Sequence, residues 1–169
     1  MSDTGAPPGD AASVTVMVAV APTVAFEVFT REIDAWWRRG PKYRIARRTP
    51  GVLTFEPRVG GRLFESFASE TGTQILELGR IRVWDPPARL AFDWRVANAA
   101  PHVSTLVEVS FEPTAHGTAV TVRHSGWSAL PVGHPARHGL EGAAMSRMIG
   151  LWWAELMTSL REHTAARTR

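Results

Sequence analysis

With 169 residues, 44% of them apolar and 21% charged, the chain has the size and balance of one globular domain with a real core. It lacks eighteen consecutive apolar residues, a basic start to its N-terminus and any cysteine. These exclude a membrane-spanning helix, a secretory signal, disulfides, thiolate metal sites and a cysteine nucleophile, and they predict a cytoplasmic protein. The net charge is only +3, and eighteen of the nineteen basic residues are Arg, so the high pI overstates the basicity.

Residues 1–12 are small, polar and rich in Pro and Gly, which predicts a disordered tail. Ser13–Val20 is apolar and β-branched, a strand. Pro22 suits the first turn of a helix in which Val24, Ala25, Val28 and Phe29 recur at helical spacing. A second short helix follows, with Ile33, Trp36 and Trp37 on its buried side, and Gly40-Pro41 ends it. Arg38, Arg39, Lys42, Arg44, Arg47 and Arg48 form the densest basic stretch. No nucleic-acid-binding motif accompanies it, so it reads as a solvated loop face and not as a nucleic-acid site.

From Val52 the period changes to two. Strands are predicted over Val52–Glu56, Arg62–Ala68, Gln74–Trp84, Arg89–Val96, Val103–Glu112 and Thr118–Trp127. Turn signals separate them, among them Gly60-Gly61, where φ > 0 is accessible, and Asp85-Pro86-Pro87. Short connections in series mean an antiparallel meander. The clearest face is Leu90, Phe92, Trp94 and Val96; Val120 and Val122 give another. A sheet buried on one face needs a cover. Leu140–His163 supplies it, with Met145, Met148, Ile149, Trp152, Leu156 and Leu160 at spacings of three and four. Residues 164–169 are read as a C-terminal tail.

That order, with the strings FTREIDAWW at Phe29–Trp37, LTFEPRVGGRLFE at Leu53–Glu65, WDPPARLAFDW at Trp84–Trp94, TLVEVSFEP at Thr105–Pro113 and GTAVTVRHSGW at Gly117–Trp127, resembles the activator-of-Hsp90-ATPase homologue family within the START/Bet v 1-like (SRPBCC) group. The resemblance spans Ser13–His163. It implies a single α+β domain of the helix-grip fold: a curved antiparallel sheet of about seven strands around a long C-terminal helix, with two short helices after strand 1. Such folds commonly leave a cavity between sheet and helix.

Several residues could serve that cavity. His124 continues the face of Val120 and Val122; it could donate to a ligand or move a proton, or be a core histidine held by a backbone carbonyl. Glu65, between Leu63 and Phe67, is either on a cavity wall or paired with Arg80 or Arg82. Those arginines share an alternation set with Leu76, Leu78 and Trp84, whereas the rival set of Ile75, Ile81 and Val83 turns them outward. Asp93 and Arg95 oppose an apolar face and read as solvated. Of the seven tryptophans, Trp37, Trp94 and Trp152 are the cavity candidates, joined by Phe92, Val122 and Met148. Met145 and Met157 fit an adaptable wall or an ordinary core. His134 and His138 flank a Pro-containing loop, and no carboxylate completes a metal site. No cofactor motif is present.

The first reading is a protein that binds a small lipid-like or aromatic molecule without an established reaction. The alternatives are an enzyme of the polyketide cyclase/aromatase kind, using His124 and Glu65, and a protein-interaction module with a chaperone partner, using the Arg38–Arg48 region. A homodimer, through the sheet edge or an exposed Trp face, is compatible with the pattern.

Overall fold

The computed structural model describes residues 10–45, 51–95, 104–131 and 133–167. The chain runs β1 (Ala11–Val18), α1 (Pro22–Arg31), α2 (Ile33–Trp36), β2 (Val52–Phe55), β3 (Arg62–Ser69), β4 (Gly72–Asp85), β5 (Arg89–Arg95), β6 (Ser104–Thr114), β7 (Gly117–Ser125) and α3 (Gly142–Arg167). The strands form one antiparallel sheet in the order β1-β7-β6-β5-β4-β3-β2. After β2 the sheet is a meander, and the return of β7 to β1 makes the first strand an edge. α1 and α2 cross between the two edge strands, and α3 packs against the sheet's inner face. This is the predicted helix-grip arrangement. No described helix is long and apolar enough to cross a membrane.

Alternation aligns the inner face. Ala12, His124, Val107 and Phe92 form one row across β1, β7, β6 and β5; Val14, Val122, Val109 and Leu90 form the next. Phe92 and Val122 are thus core, Phe92 meeting Phe55 edge-on at 5.3 Å. α1 seats Phe26 against Trp84 and Phe111, and Phe29 against Phe111 and Trp36. Pro22 occupies the first helical turn, where its missing N–H costs nothing.

β4 departs from simple alternation twice. Leu63 pairs with Gly79 but Phe64 with Glu77, so Leu78 is an extra residue; Ile81 pairs with Phe92 but Val83 with Ala91, so Arg82 is another. Each bulge moves the side chains that follow to the other face. The inner face therefore takes Leu76, Leu78, Ile81 and Trp84, drawing on both of the registers that the sequence offered. Both arginines point outward: Arg80 pairs with Glu77 and Arg82 with Asp93 at 2.5 Å. Neither reaches Glu65. At Gly79 the β5 backbone leaves no room for a side chain, and a Cβ there would overlap the carbonyl oxygen of Asp93.

Other boundaries moved by a few residues. β1 starts at Ala11, and the buried Asp10 accepts from Ser128 N–H at 2.5 Å and Ser128 Oγ at 3.0 Å, so residues 10–12 belong to the fold, and the rest of the expected tail lies outside the described residues. α3 continues to Arg167, with Thr164 buried and Arg167 paired with Glu32 at 3.0 Å. Val96, Val103, Arg47 and Arg48 lie outside the described residues. Within the basic stretch Arg39 and Lys42 are exposed, as a solvated face requires, but Arg44 is not. Arg44 is buried, bonded to Asp34 Oδ1 at 2.6 Å and to the carbonyls of Asp34, Trp37, Gly51 and Arg38.

Candidate functional site

The helix–sheet interior is filled over most of its length by Phe29, Phe111, Leu156, Met157 and Leu160. At the end where β5 delivers Trp94 and β7 delivers His124, it opens into a cavity of about 640 Å³. α3 contributes Met148, Ile149, Trp152 and Glu155 to its wall. The segment after α2 contributes Lys42, Tyr43 and Ile45, and the turn after β7 adds Trp127.

α3 decides which indole lines the cavity and which fills the core. The residues it buries are Met145, Ile149, Trp153, Leu156, Met157, Leu160 and Thr164. The stripe thus passes through Trp153, which is 1% exposed, and not through Trp152. Trp152, one residue round the helix, is left at the stripe's flank, half-buried on the cavity wall. Trp37 stands behind both, stacked on Trp94 at 5.9 Å and meeting Trp152 and Trp153 edge-on at 5.7 and 5.6 Å. The aromatic wall therefore rests on further rings, which limits its freedom to collapse.

His124 faces inward, as its alternation with Val120 and Val122 predicts, and is 1% exposed. Trp153 Nε1–H donates to its Nδ1 at 3.0 Å. An indole nitrogen only donates, so Nδ1 is the acceptor and Nε2 carries the proton, which it gives to Thr105 Oγ1 at 2.7 Å. Thr105 in turn donates to the carbonyl of Trp94 at 3.4 Å. Burial pushes the imidazole pKa down to about 3. His124 is a neutral ring with both nitrogens engaged by side chains, not by the backbone carbonyl that a core role suggested.

A polar group sits at the mouth. Glu155 Oε2 accepts from both Lys42 Nζ, at 2.7 Å, and Tyr43 Oη. Hydrogen bonds from Lys42 and Tyr43 hold the Glu155 carboxyl below the usual range. Burial and the neighbouring carboxylate raise the Tyr43 phenol, and the bond to Glu155 raises the Lys42 ammonium. Trp152 Nε1–H donates to the carbonyl of Lys42 at 3.0 Å, and the Tyr43 ring stacks on Trp152 at 6.0 Å.

Of the residues nominated from the sequence, His124, Trp94, Trp152 and Met148 meet at this cavity. Trp37 supports it from behind, and Phe92 and Val122 belong to the core. Glu65 is fully buried elsewhere, with Oε2 accepting from the N–H of Ile45 at 3.1 Å and its side chain filling the space beside Gly51. Lys42, Tyr43 and Glu155 went unrecognised because more than a hundred residues separate the segment after α2, the strap that carries Lys42 and Tyr43, from Glu155 on α3. Their one signal is composition: Lys42 and Tyr43 are the only lysine and tyrosine in the chain. Among the described residues, no group of three or more His, Cys, Asp or Glu converges as a metal site.

The family described as "Activator of Hsp90 ATPase homolog 1-like protein" matches residues 19–163. The chain belongs to that family. Its fold agrees with solved structures at low identity. Protein MLL2253 from Mesorhizobium loti is 18% identical with a TM-score of 0.62, over 94% of this chain and 98% of that one. An HSP90 activator from Plasmodium falciparum, PFC0360w, is 17% identical with a TM-score of 0.60, over 90% and 94%. DynU16, of the dynemicin biosynthetic locus, is 19% identical with a TM-score of 0.61, over 92% of this chain and 47% of that one. No protein of curated function matches the sequence. This member of the activator family thus carries an aromatic cavity at one end of its helix grip.

Proposed function

We propose that the protein binds a small, flat, largely apolar molecule in the cavity walled by Trp94, Trp127, Trp152 and Met148. The observation that carries this reading is the cavity itself. Its volume of about 640 Å³ suits a small organic molecule. Its wall offers indole faces for stacking and a thioether that adapts to shape. Apolar burial would supply the affinity, and the polar mouth would set the ligand's direction.

A proton-transfer enzyme is less well served by these residues. The His124 nitrogens are both spent on Trp153 and Thr105, and a ring with a pKa near 3 is a poor base at neutral pH. Glu65, the partner nominated for it, does not line the cavity. A chaperone-binding role through Arg38–Arg48 finds little support in its described part, where Arg39 and Arg44 pair with Asp34, and Lys42 with Glu155.

The test is native mass spectrometry of the purified protein, then denaturing extraction and calorimetric titration with 2-naphthalenemethanol. A stoichiometric apolar molecule, or saturable binding of the probe lost in Trp152→Ala, is the expected result. An empty protein that fails to bind the probe at millimolar concentration would overturn the reading.

A further inference from the structure

The cavity wall is asymmetric. Most of it is ring and aliphatic surface, with Arg95 and His138 also on the wall, while two donors, the Lys42 ammonium and the Tyr43 hydroxyl, stand together. Both converge on one oxygen, Oε2 of Glu155. Two donors from adjacent residues aimed at one carboxylate oxygen are a carboxylate-binding pair. The carboxylate they hold belongs to the protein's own helix and stands at the edge of the cavity.

The surroundings favour a negative group at this point. Arg38 Nε–H donates to the carbonyl of Glu155 at 3.0 Å, which brings a second cation to the same turn of α3. Glu155 is the only carboxylate among the described lining residues. It is 41% exposed and Lys42 is 58% exposed, so the pair lies in water-accessible space where exchanging one carboxylate for another costs little. The donors are also held in place. Trp152 Nε1–H fixes the carbonyl of Lys42, Trp37 Nε1–H fixes that of Tyr43 at 3.0 Å, and the turn closes through Tyr43 N–H and Arg44 N–H on the carbonyl of Gly40.

We infer that the ligand is an aromatic acid whose carboxylate takes the place of Glu155 on Lys42 and Tyr43, with its ring system among Trp94, Trp127 and Trp152. Glu155 is then the occupant of the acid subsite in the empty protein, and it turns to solvent when the ligand enters. This inference rests on the proposed function, because it assigns the chemical class of the ligand of the same cavity.

The experiment compares 2-naphthoate with 2-naphthalenemethanol by calorimetry at pH 7, for the wild type, Glu155→Gln and Lys42→Met. Glu155→Gln removes the competing charge and should tighten 2-naphthoate about fivefold, the scale of an exposed ion pair, while the alcohol changes less than about twofold. Lys42→Met should weaken 2-naphthoate by about the same factor and shift the alcohol by a clearly smaller one. Thermal melts confirm that both surface variants fold. If the alcohol binds but the naphthoate does not respond to either substitution, this inference fails and the cavity reading survives. If neither probe binds any of the three proteins, both fail together.

Discussion

Trp153 and His124 are joined by a hydrogen bond of 3.0 Å between indole Nε1–H and imidazole Nδ1, which ties the centre of α3 to β7. Both side chains are 1% exposed. The bond orients the imidazole so that its remaining proton meets Thr105, and it satisfies the indole N–H that the buried stripe of α3 carries into the core beside Ile149 and Leu156.

Stability should depend on pH through this pair. The folded-state pKa of His124, about 3, lies below the unfolded value near 6.5. The unfolded chain therefore binds the extra proton between these values, and stability present above pH 6.5 is lost as pH falls toward 3. Between pH 7 and pH 5 the expected loss is about 2 kcal/mol. Urea denaturation at both pH values measures it, and His124→Gln, which cannot titrate, should lack this share of the loss.

Replacing Trp153 by Phe removes the donor and leaves Nδ1 of His124 buried without a partner. The unsatisfied acceptor and the space left by the smaller ring should together cost about 2–4 kcal/mol in urea denaturation. Trp152→Ala, on the cavity wall, should cost less than half of that and instead weaken the naphthalene probe. If the two substitutions exchange these effects, the assignment of the indoles is wrong.

Arg44 is a structural arginine within a stretch that reads as surface. Its guanidinium bridges Asp34 and four backbone carbonyls, joining the end of α2 to the start of β2. Burial by itself would raise the pKa of Asp34. The Leu53 N–H and Arg44 outweigh it and hold the carboxyl below its ordinary value. Arg44→Ala should cost about 3–5 kcal/mol by stranding these acceptors. Arg44→Lys should recover little, since a single ammonium cannot copy a planar fork with five donors. Near-wild-type melting of the lysine variant would refute this role.

Gly79→Ala should be among the most damaging single substitutions, about 4 kcal/mol or more, because the added methyl group meets the Asp93 backbone carbonyl of a paired strand. Gly60→Ala, with open space around it and only a positive φ of 79° to accommodate, should cost about 1 kcal/mol. The difference between their thermal melts separates steric exclusion from backbone strain.

The sequence by itself determined the order of elements, the turns, and the inward faces of β5 and β7. A period of two is a local property, and an uninterrupted strand such as Gly117–Ser125 carries His124 to the same side as Val120 and Val122 in any tertiary setting. The family followed from the same local strings. Only the tertiary structure decided the faces of β4, where two bulges reverse the alternation, and the choice between Trp152 and Trp153, which depends on how α3 seats on the sheet. It alone also decided the cavity mouth. Lys42, Tyr43 and Glu155 each look like ordinary surface residues until the fold brings the strap onto α3, because a site made of separated segments has no periodicity to betray it.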